Sequence, residues 1–143
     1  KYGAPFLILD FGTATTIDAV SPDGIYLGGT IGPGLQVSLD ALVSRTAMLP
    51  RVELQMPPTV LGRNTVEQIQ AGVVGGYVGN IEYLIRQVME EMGIKVIATG
   101  GLSRMIAEQT DQITIVDTRL TLDGLQMIYD QNRDAKPLEI RNN

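Results

Sequence analysis

Phe6-Leu7-Ile8-Leu9-Asp10-Phe11-Gly12-Thr13-Ala14-Thr15-Thr16-Ile17-Asp18-Ala19-Val20 is the stretch on which the reading of this chain turns. Its opening apolar run follows Pro5 and is too short for a helix, so it reads as a buried strand. Gly12 breaks it. The β-branched residues of 15–20 read as a second strand. Ser21-Pro22-Asp23-Gly24 is a turn signal, with Pro fixing φ and Gly accepting positive φ. Residues 25–31 then read as a third strand, and the three make an antiparallel meander.

Beyond the meander the periodicity becomes helical. Leu35, Leu39, Leu42 and Val43 predict a helix over 36–45. Residues 46–62 hold Pro50, Pro57, Pro58 and Gly62 and read as an extended connection, long enough to suggest contact with a ligand or partner. Asn64 or Thr65 caps the next helix, with Thr65 and Gln68 at capping-box spacing. Val66, Ile69, Val73, Tyr77, Ile81, Leu84, Val88 and Met92 carry one apolar stripe along it, and Gly93 ends it. Strands over 95–99 and 113–116 flank a short helix over 102–109. A last helix covers 120–129, and 131–143 reads as a polar tail. A meander followed by βαβα crossovers gives an α/β fold. We expect a mixed sheet of five strands with helices on both faces, the ribonuclease-H-like arrangement.

Composition narrows the chemistry. The chain has 143 residues, 44% apolar and 19% charged, which fits one globular domain. Sixteen acidic side chains against 11 basic ones leave a net charge of −5, and the pI is near 4.6. Such a surface repels phosphate backbones, so no nucleic-acid partner is expected. With no cysteine and no histidine, thiolate nucleophiles, Ser–His–Asp chemistry and Cys- or His-ligated metals are excluded within the chain. No apolar run reaches the roughly 18 residues that span a bilayer. The amino terminus lacks signal-peptide architecture, so the expected location is cytoplasmic and no membrane partner is expected. Chemistry must then rest on carboxylates, hydroxyls, backbone amides, Lys or Arg, and a hard cation.

Four segments are candidates. Asp10 through Thr16 places a carboxylate at a strand end, then a Gly turn and a row of hydroxyls. Gly lets the backbone approach an anion, amides and Thr hydroxyls donate to it, and the carboxylate can hold a bridging cation. A plain hairpin with strand-favouring Thr residues explains the same types equally well. Thr99-Gly100-Gly101 lies between a strand and a helix, where nucleotides bind but ordinary turns also occur. Gly28-Gly29-Thr30-Ile31-Gly32-Pro33-Gly34 implies close backbone approach, to a ligand or to the chain itself. Gly72, Gly75, Gly76 and Gly79 make a small-residue stripe, for which close packing against the sheet, a helix or a second copy is the preferred reading.

These motifs, in this order, resemble the carboxy-terminal half of type III pantothenate kinases, of the superfamily of acetate and sugar kinases, Hsp70 and actin. The match runs over about residues 2–130. It rests on residues 10–16, residues 28–34, Thr46-Ala47-Met48-Leu49-Pro50, Gly62-Arg63-Asn64-Thr65 and Thr99-Gly100-Gly101. Each alone is weak, whereas five in register are specific. The resemblance implies an actin-like ATPase domain over 1–130 and ATP-dependent phosphorylation of pantothenate, the first step toward coenzyme A. It implies ATP with Mg²⁺, a monovalent cation (K⁺ or NH₄⁺) and a homodimer. It makes Asp10 the cation ligand and Thr13 an ATP-phosphate contact, with Gly12 and Thr15 in the same segment. Gly100 and Gly101 match the adenosine motif, and Thr65 matches a contact to pantothenate.

A full family member has about as much chain again before this point. That portion carries a first phosphate loop of the Asp-x-Gly-Asn-Thr kind and a Gly-Ala-Asp-Arg segment whose Asp is the general base. Neither occurs in these 143 residues. The chain alone is therefore expected to be inactive, with the amino-terminal half as its partner. A non-catalytic dimerisation or regulatory module on the same fold is the alternative.

Overall fold

A computed structural model describes residues 1–92 and 94–133. Strands β1 (Phe6–Phe11), β2 (Ala14–Val20) and β3 (Tyr26–Pro33) form the meander. They are followed by α1 (Leu35–Ser44), α2 (Thr65–Gln70), a π-helical turn (Ala71–Gly75) and α3 (Gly76–Met92). Then come β4 (Lys95–Thr99), α4 (Ser103–Ala107), β5 (Ile115–Val116) and α5 (Leu120–Asn132). The sheet has five strands in the order β3-β2-β1-β4-β5. The first three are antiparallel, while β4 runs parallel to β1 and β5 parallel to β4. The mixed α/β sheet expected from the sequence is present. Gly93 and residues 134–143, most of the expected tail, lie outside the described residues, and α5 continues past Tyr129 to Asn132. Among the described residues no helix is long and apolar enough to cross a membrane.

Alternation along β1 decides which face is covered. Leu7, Leu9 and Phe11 are fully buried, whereas Phe6, Ile8 and Asp10 are half-buried. The buried row joins Ile17 of β2 and Val96 and Ala98 of β4 in one core. Leu35, Val74, Val78, Ile81, Ile85 and Ile106 pack onto that core from the helices. Each such side chain contributes about 1.5–3 kcal/mol of burial. The opposite face is covered only in part: Ile97 and Thr99 of β4 are buried there, whereas α5 contributes no buried residue and Ile31 of the edge strand is 83% exposed.

The long helix also departs from its expected register. Its buried apolar residues are Ile69, Val74, Val78, Ile81 and Ile85. The step from 69 to 74 is five residues, because the π-helical turn inserts one extra residue. Val73 and Tyr77, expected in the stripe, are therefore only partly buried. Val66, on the near side of the turn, is 44% exposed. Two glycines, Gly72 and Gly75, lie in that turn and lower the cost of leaving the α-helical ladder. Close packing of the glycine stripe against the sheet or a helix of this chain is not found. A Cβ on Gly72, Gly76 or Gly79 would meet nothing within 4 Å, and one on Gly75 would reach only the Met56 side chain at 3.9 Å.

Candidate functional site

Parallel pairing of β1 with β4 brings two loop starts together, because Asp10 stands opposite Thr99. Ligands of open α/β sheets collect at the carboxyl ends of parallel strands. After Phe11 the chain turns through Gly12 and Thr13 into β2, with the Gly12 amide donating to the Ala14 carbonyl at 3.1 Å. After Thr99 it turns through Gly100 at φ +89°, a conformation L side chains rarely adopt. A Cβ on Gly100 would stand 2.6 Å from Asp10 Oδ1 and 2.7 Å from the Phe11 backbone nitrogen. The second loop thus lies directly against the first.

Two further contacts hold this arrangement. The Gly34 amide, just before α1, donates to the Thr13 carbonyl at 3.0 Å. A Cβ there would stand 2.5 Å from the same oxygen, so the start of α1 walls the Gly12-Thr13 turn on another side. Ser103, fully buried, donates its hydroxyl to the Gly100 carbonyl at 2.8 Å and fixes the β4–α4 loop. The structure therefore gathers Asp10, Gly12, Thr13 and Gly100 at one end of the sheet. Gly101 follows in the same loop with open space where its Cβ would be. Among the described residues the Asp10 carboxylate makes no hydrogen bond or ion pair, and no group of three acidic side chains gathers anywhere.

Thr15 is not part of this gathering. It is 5% exposed, and its hydroxyl shares a hydrogen bond with that of Tyr77. Burial pushes the Tyr77 phenol pKa up, against the opposing effect of the Thr15 hydroxyl. Both residues line a cavity of about 520 Å³ with Ser38, Asn80 and Gly72, and no charged side chain faces it. That lining does not suit a nucleotide phosphate. Asp10's opposite number on β2 is Thr16, whose hydroxyl is donated to Asp18 at 3.1 Å.

Thr65 also lies apart. It is the first residue of α2 and is exposed. The cap is Asn64, whose side-chain oxygen accepts from the Glu67 amide at 3.0 Å. Glu67 in turn accepts from the Arg63 amide at 2.8 Å. Asn64 thus holds the Glu67 amide while the Glu67 carboxylate holds the Arg63 amide, in place of the expected Thr65–Gln68 box, and the Thr65 hydroxyl is left uncommitted. Thr65 lines a cavity of about 430 Å³ with Leu42, Leu49, Gln68 and Ile69, which shares no residue with the Asp10 gathering.

Sequence reading missed three contributors. Tyr77 was indistinguishable from a core position of the helical stripe. Ser103 carried a signal only as a hydroxyl two residues after a Gly pair. Gly34 stands in a Gly-rich window whose residues the sequence alone does not separate. In that window Gly29 and Gly34 are the close approaches, both to backbone of this chain, while Gly32 faces open space.

Comparison with known proteins bears on the family. The family model described as type III pantothenate kinase matches residues 1–87. A curated type III pantothenate kinase from Roseiflexus sp. (strain RS-1) is 48% identical over 135 residues, 93% of this chain and 53% of the relative. The chain thus spans about half the length of that relative. A crystal structure described as that of a conserved Baf family transcriptional activator from Campylobacter jejuni superposes with a TM-score of 0.65 at 25% identity. That match covers 91% of this chain and 59% of the other. The profile, the close relative and the five motifs agree, and the chain belongs to the type III pantothenate kinase family.

Proposed function

We propose that this chain is the cation- and phosphate-holding half of a cytoplasmic, ATP-dependent pantothenate kinase that forms 4′-phosphopantothenate on the way to coenzyme A. The observation that carries the reading is the abutment of the Asp10 carboxylate and the Gly100 loop. It supports a cleft floor where phosphate and nucleotide base approach the backbone closely. The Gly12 turn and the Thr13 hydroxyl meet the phosphates of Mg²⁺-ATP, and Gly100 with Gly101 lies along the adenosine. Thr65, exposed and free of capping duty, offers its hydroxyl to pantothenate. Its cavity shares no residue with the Asp10 gathering, which supports a homodimer in which one copy's Thr65 serves the other copy's site. Thr15 keeps at most an indirect role, by holding β2 behind the turn.

Asp10 fits a monovalent cation. Asp10 is half-buried, its carboxylate has no side-chain partner among the described residues, and a carboxylate is a hard oxygen donor. K⁺ or NH₄⁺ held there supplies positive charge next to the phosphates. The chain's own residues position the phosphoryl group, and positioning with charge stabilisation is most of what phosphoryl transfer needs. The acceptor's general base and the first phosphate loop belong to the remaining portion of the family's chain, so these 143 residues alone turn over negligibly.

Pantothenate-dependent ADP release, with and without the separately expressed amino-terminal portion, tests the reading. Activity only on mixing supports it. Robust activity from this chain alone overturns the division of labour. No activity in either condition, with both parts folded, transfers the assignment to a non-catalytic module.

A further inference from the structure

The π-helical turn decides where Tyr77 stands. One extra residue rotates the helix beyond it by roughly 100°, a single step of the α-helical repeat. Counted on from Ile69 without that step, Val73 and Tyr77 fall at the centre of the buried stripe. With it, Val74, Val78, Ile81 and Ile85 take the centre, and Tyr77 moves to the partly buried edge. There its hydroxyl shares a hydrogen bond with that of Thr15 on β2. Its ring lies 6.2 Å from the Phe11 ring of β1, tilted by 57°. Such turns within helices often accompany functional sites.

These two contacts have a common meaning in the hairpin. Phe11 and Thr15 are register partners, the last pair of β1 and β2. Between them lie only Gly12, Thr13 and Ala14. Tyr77 therefore touches both legs of the hairpin where they open into the turn. Both legs are buried at that point, Phe11 at 1% and Thr15 at 5% exposure. The turn is braced elsewhere by backbone alone, through the Gly34 amide on the Thr13 carbonyl and the Gly12 amide on the Ala14 carbonyl. We propose that Tyr77 is a positioning residue for the Gly12–Thr13 turn, its ring setting one leg and its hydroxyl the other. It acts through Phe11 and Thr15 and touches no ligand. Phosphoryl transfer depends chiefly on such positioning. The effect on turnover rests on the proposed phosphate role of that turn, whereas the setting of the turn does not.

Two measurements test it, on this chain combined with the amino-terminal portion of the family's chain, for the parent, Tyr77→Phe, Thr15→Val and Thr15→Ser. The first is amide hydrogen exchange. In Tyr77→Phe the Gly12 and Gly34 amides are expected to exchange at least about tenfold faster relative to the amides of β4. A hydroxyl that merely supports the fold speeds all of these alike or none, and either result overturns the inference. The second is steady-state kinetics. Tyr77→Phe and Thr15→Val are each expected to raise KM for ATP at least about fivefold and to leave KM for pantothenate within about twofold, whereas a smaller folded fraction lowers only the apparent kcat. Thr15→Ser, which keeps the hydroxyl, is expected to fall nearer the parent than Thr15→Val. A raised KM for ATP in Thr15→Val with none in Tyr77→Phe would put Thr15 itself on the ligand and overturn the inference. A parent without turnover overturns the kinase reading instead, and the exchange ratio alone then upholds or overturns the role of Tyr77.

Discussion

Asp10 and Gly100 abut so closely that position 100 has room for no side chain: a Cβ on Gly100 would stand 2.6 Å from Asp10 Oδ1. Gly100 also sits at φ +89°. Gly100→Ala is therefore expected to cost stability by about 1–3 kcal/mol, from backbone strain before any collision is counted. Gly101→Ala, in open space, is expected to stay within about 0.5 kcal/mol of the parent. Urea midpoints of the two variants check the contrast, and equal losses would show that the abutment is not real.

On the long helix the same substitution should have the opposite sign. Gly79 lies inside α3 with nothing within 4 Å of a built Cβ. Gly79→Ala is expected to stabilise the chain by roughly 0.5–1 kcal/mol through helix propensity. Thermal unfolding reads this directly, and a destabilised variant would mean that the glycine face is packed in solution.

The hydroxyls of Thr15 and Tyr77 are expected to be coupled. Tyr77→Phe leaves the buried Thr15 hydroxyl without its partner, at a cost of about 1–3 kcal/mol. Thr15→Val alone should cost a similar amount, and the double variant less than the sum of the two. A double-mutant cycle in urea measures the coupling. A coupling of zero would return Thr15 to the ligand-contact role that the sequence alone suggested.

Asp117 gives the fold an acid limit. The Lys1 ammonium and then the Tyr2 hydroxyl, both bonded to its carboxylate, hold its pKa down to about 2. An unfolded Asp titrates near 3.9. A folded value below the unfolded one means that the stabilisation is fully present above about pH 4 and is lost as pH falls through about 2. The same pairing raises the Lys1 pKa, so its share is present below the ordinary lysine value and fades in strong alkali. The stability gap between the parent and Asp117→Asn should be constant near neutrality and shrink between pH 4 and 2. A gap unchanged by pH would contradict the clasp.

Local signals in the sequence carried most of the fold. Pro5, Gly12 and the turn at residues 21–24 delimit the meander, and the β4 run names itself by length and β-branching. The helix register did not follow from periodicity, because the π-helical turn inserts a residue at a place marked only by Gly72 and Gly75. The exposure of α5 was also hidden, since an apolar stripe reads the same whether or not this chain covers it. At the site, Asp10, Gly12, Thr13 and Gly100 were legible as short motifs whose convergence needed only the β1–β4 pairing. The surroundings of Thr15 were not legible, because a strand hydroxyl near a Gly turn looks the same whether it faces a ligand or a buried tyrosine. The cap at Asn64 displaced Thr65 because Asx side chains and hydroxyls compete for the same amides.

The central claim is that the Asp10 end of the sheet holds the cation beside the ATP phosphates. Its most direct test is the potassium dependence of pantothenate-dependent ADP release, from this chain combined with the amino-terminal portion of the family's chain, for the parent and for Asp10→Asn. The account predicts a potassium-activated parent and a variant whose activation is lost or shifted at least about tenfold, as removal of a charged ligand requires. A variant with the parent's full potassium response would contradict it.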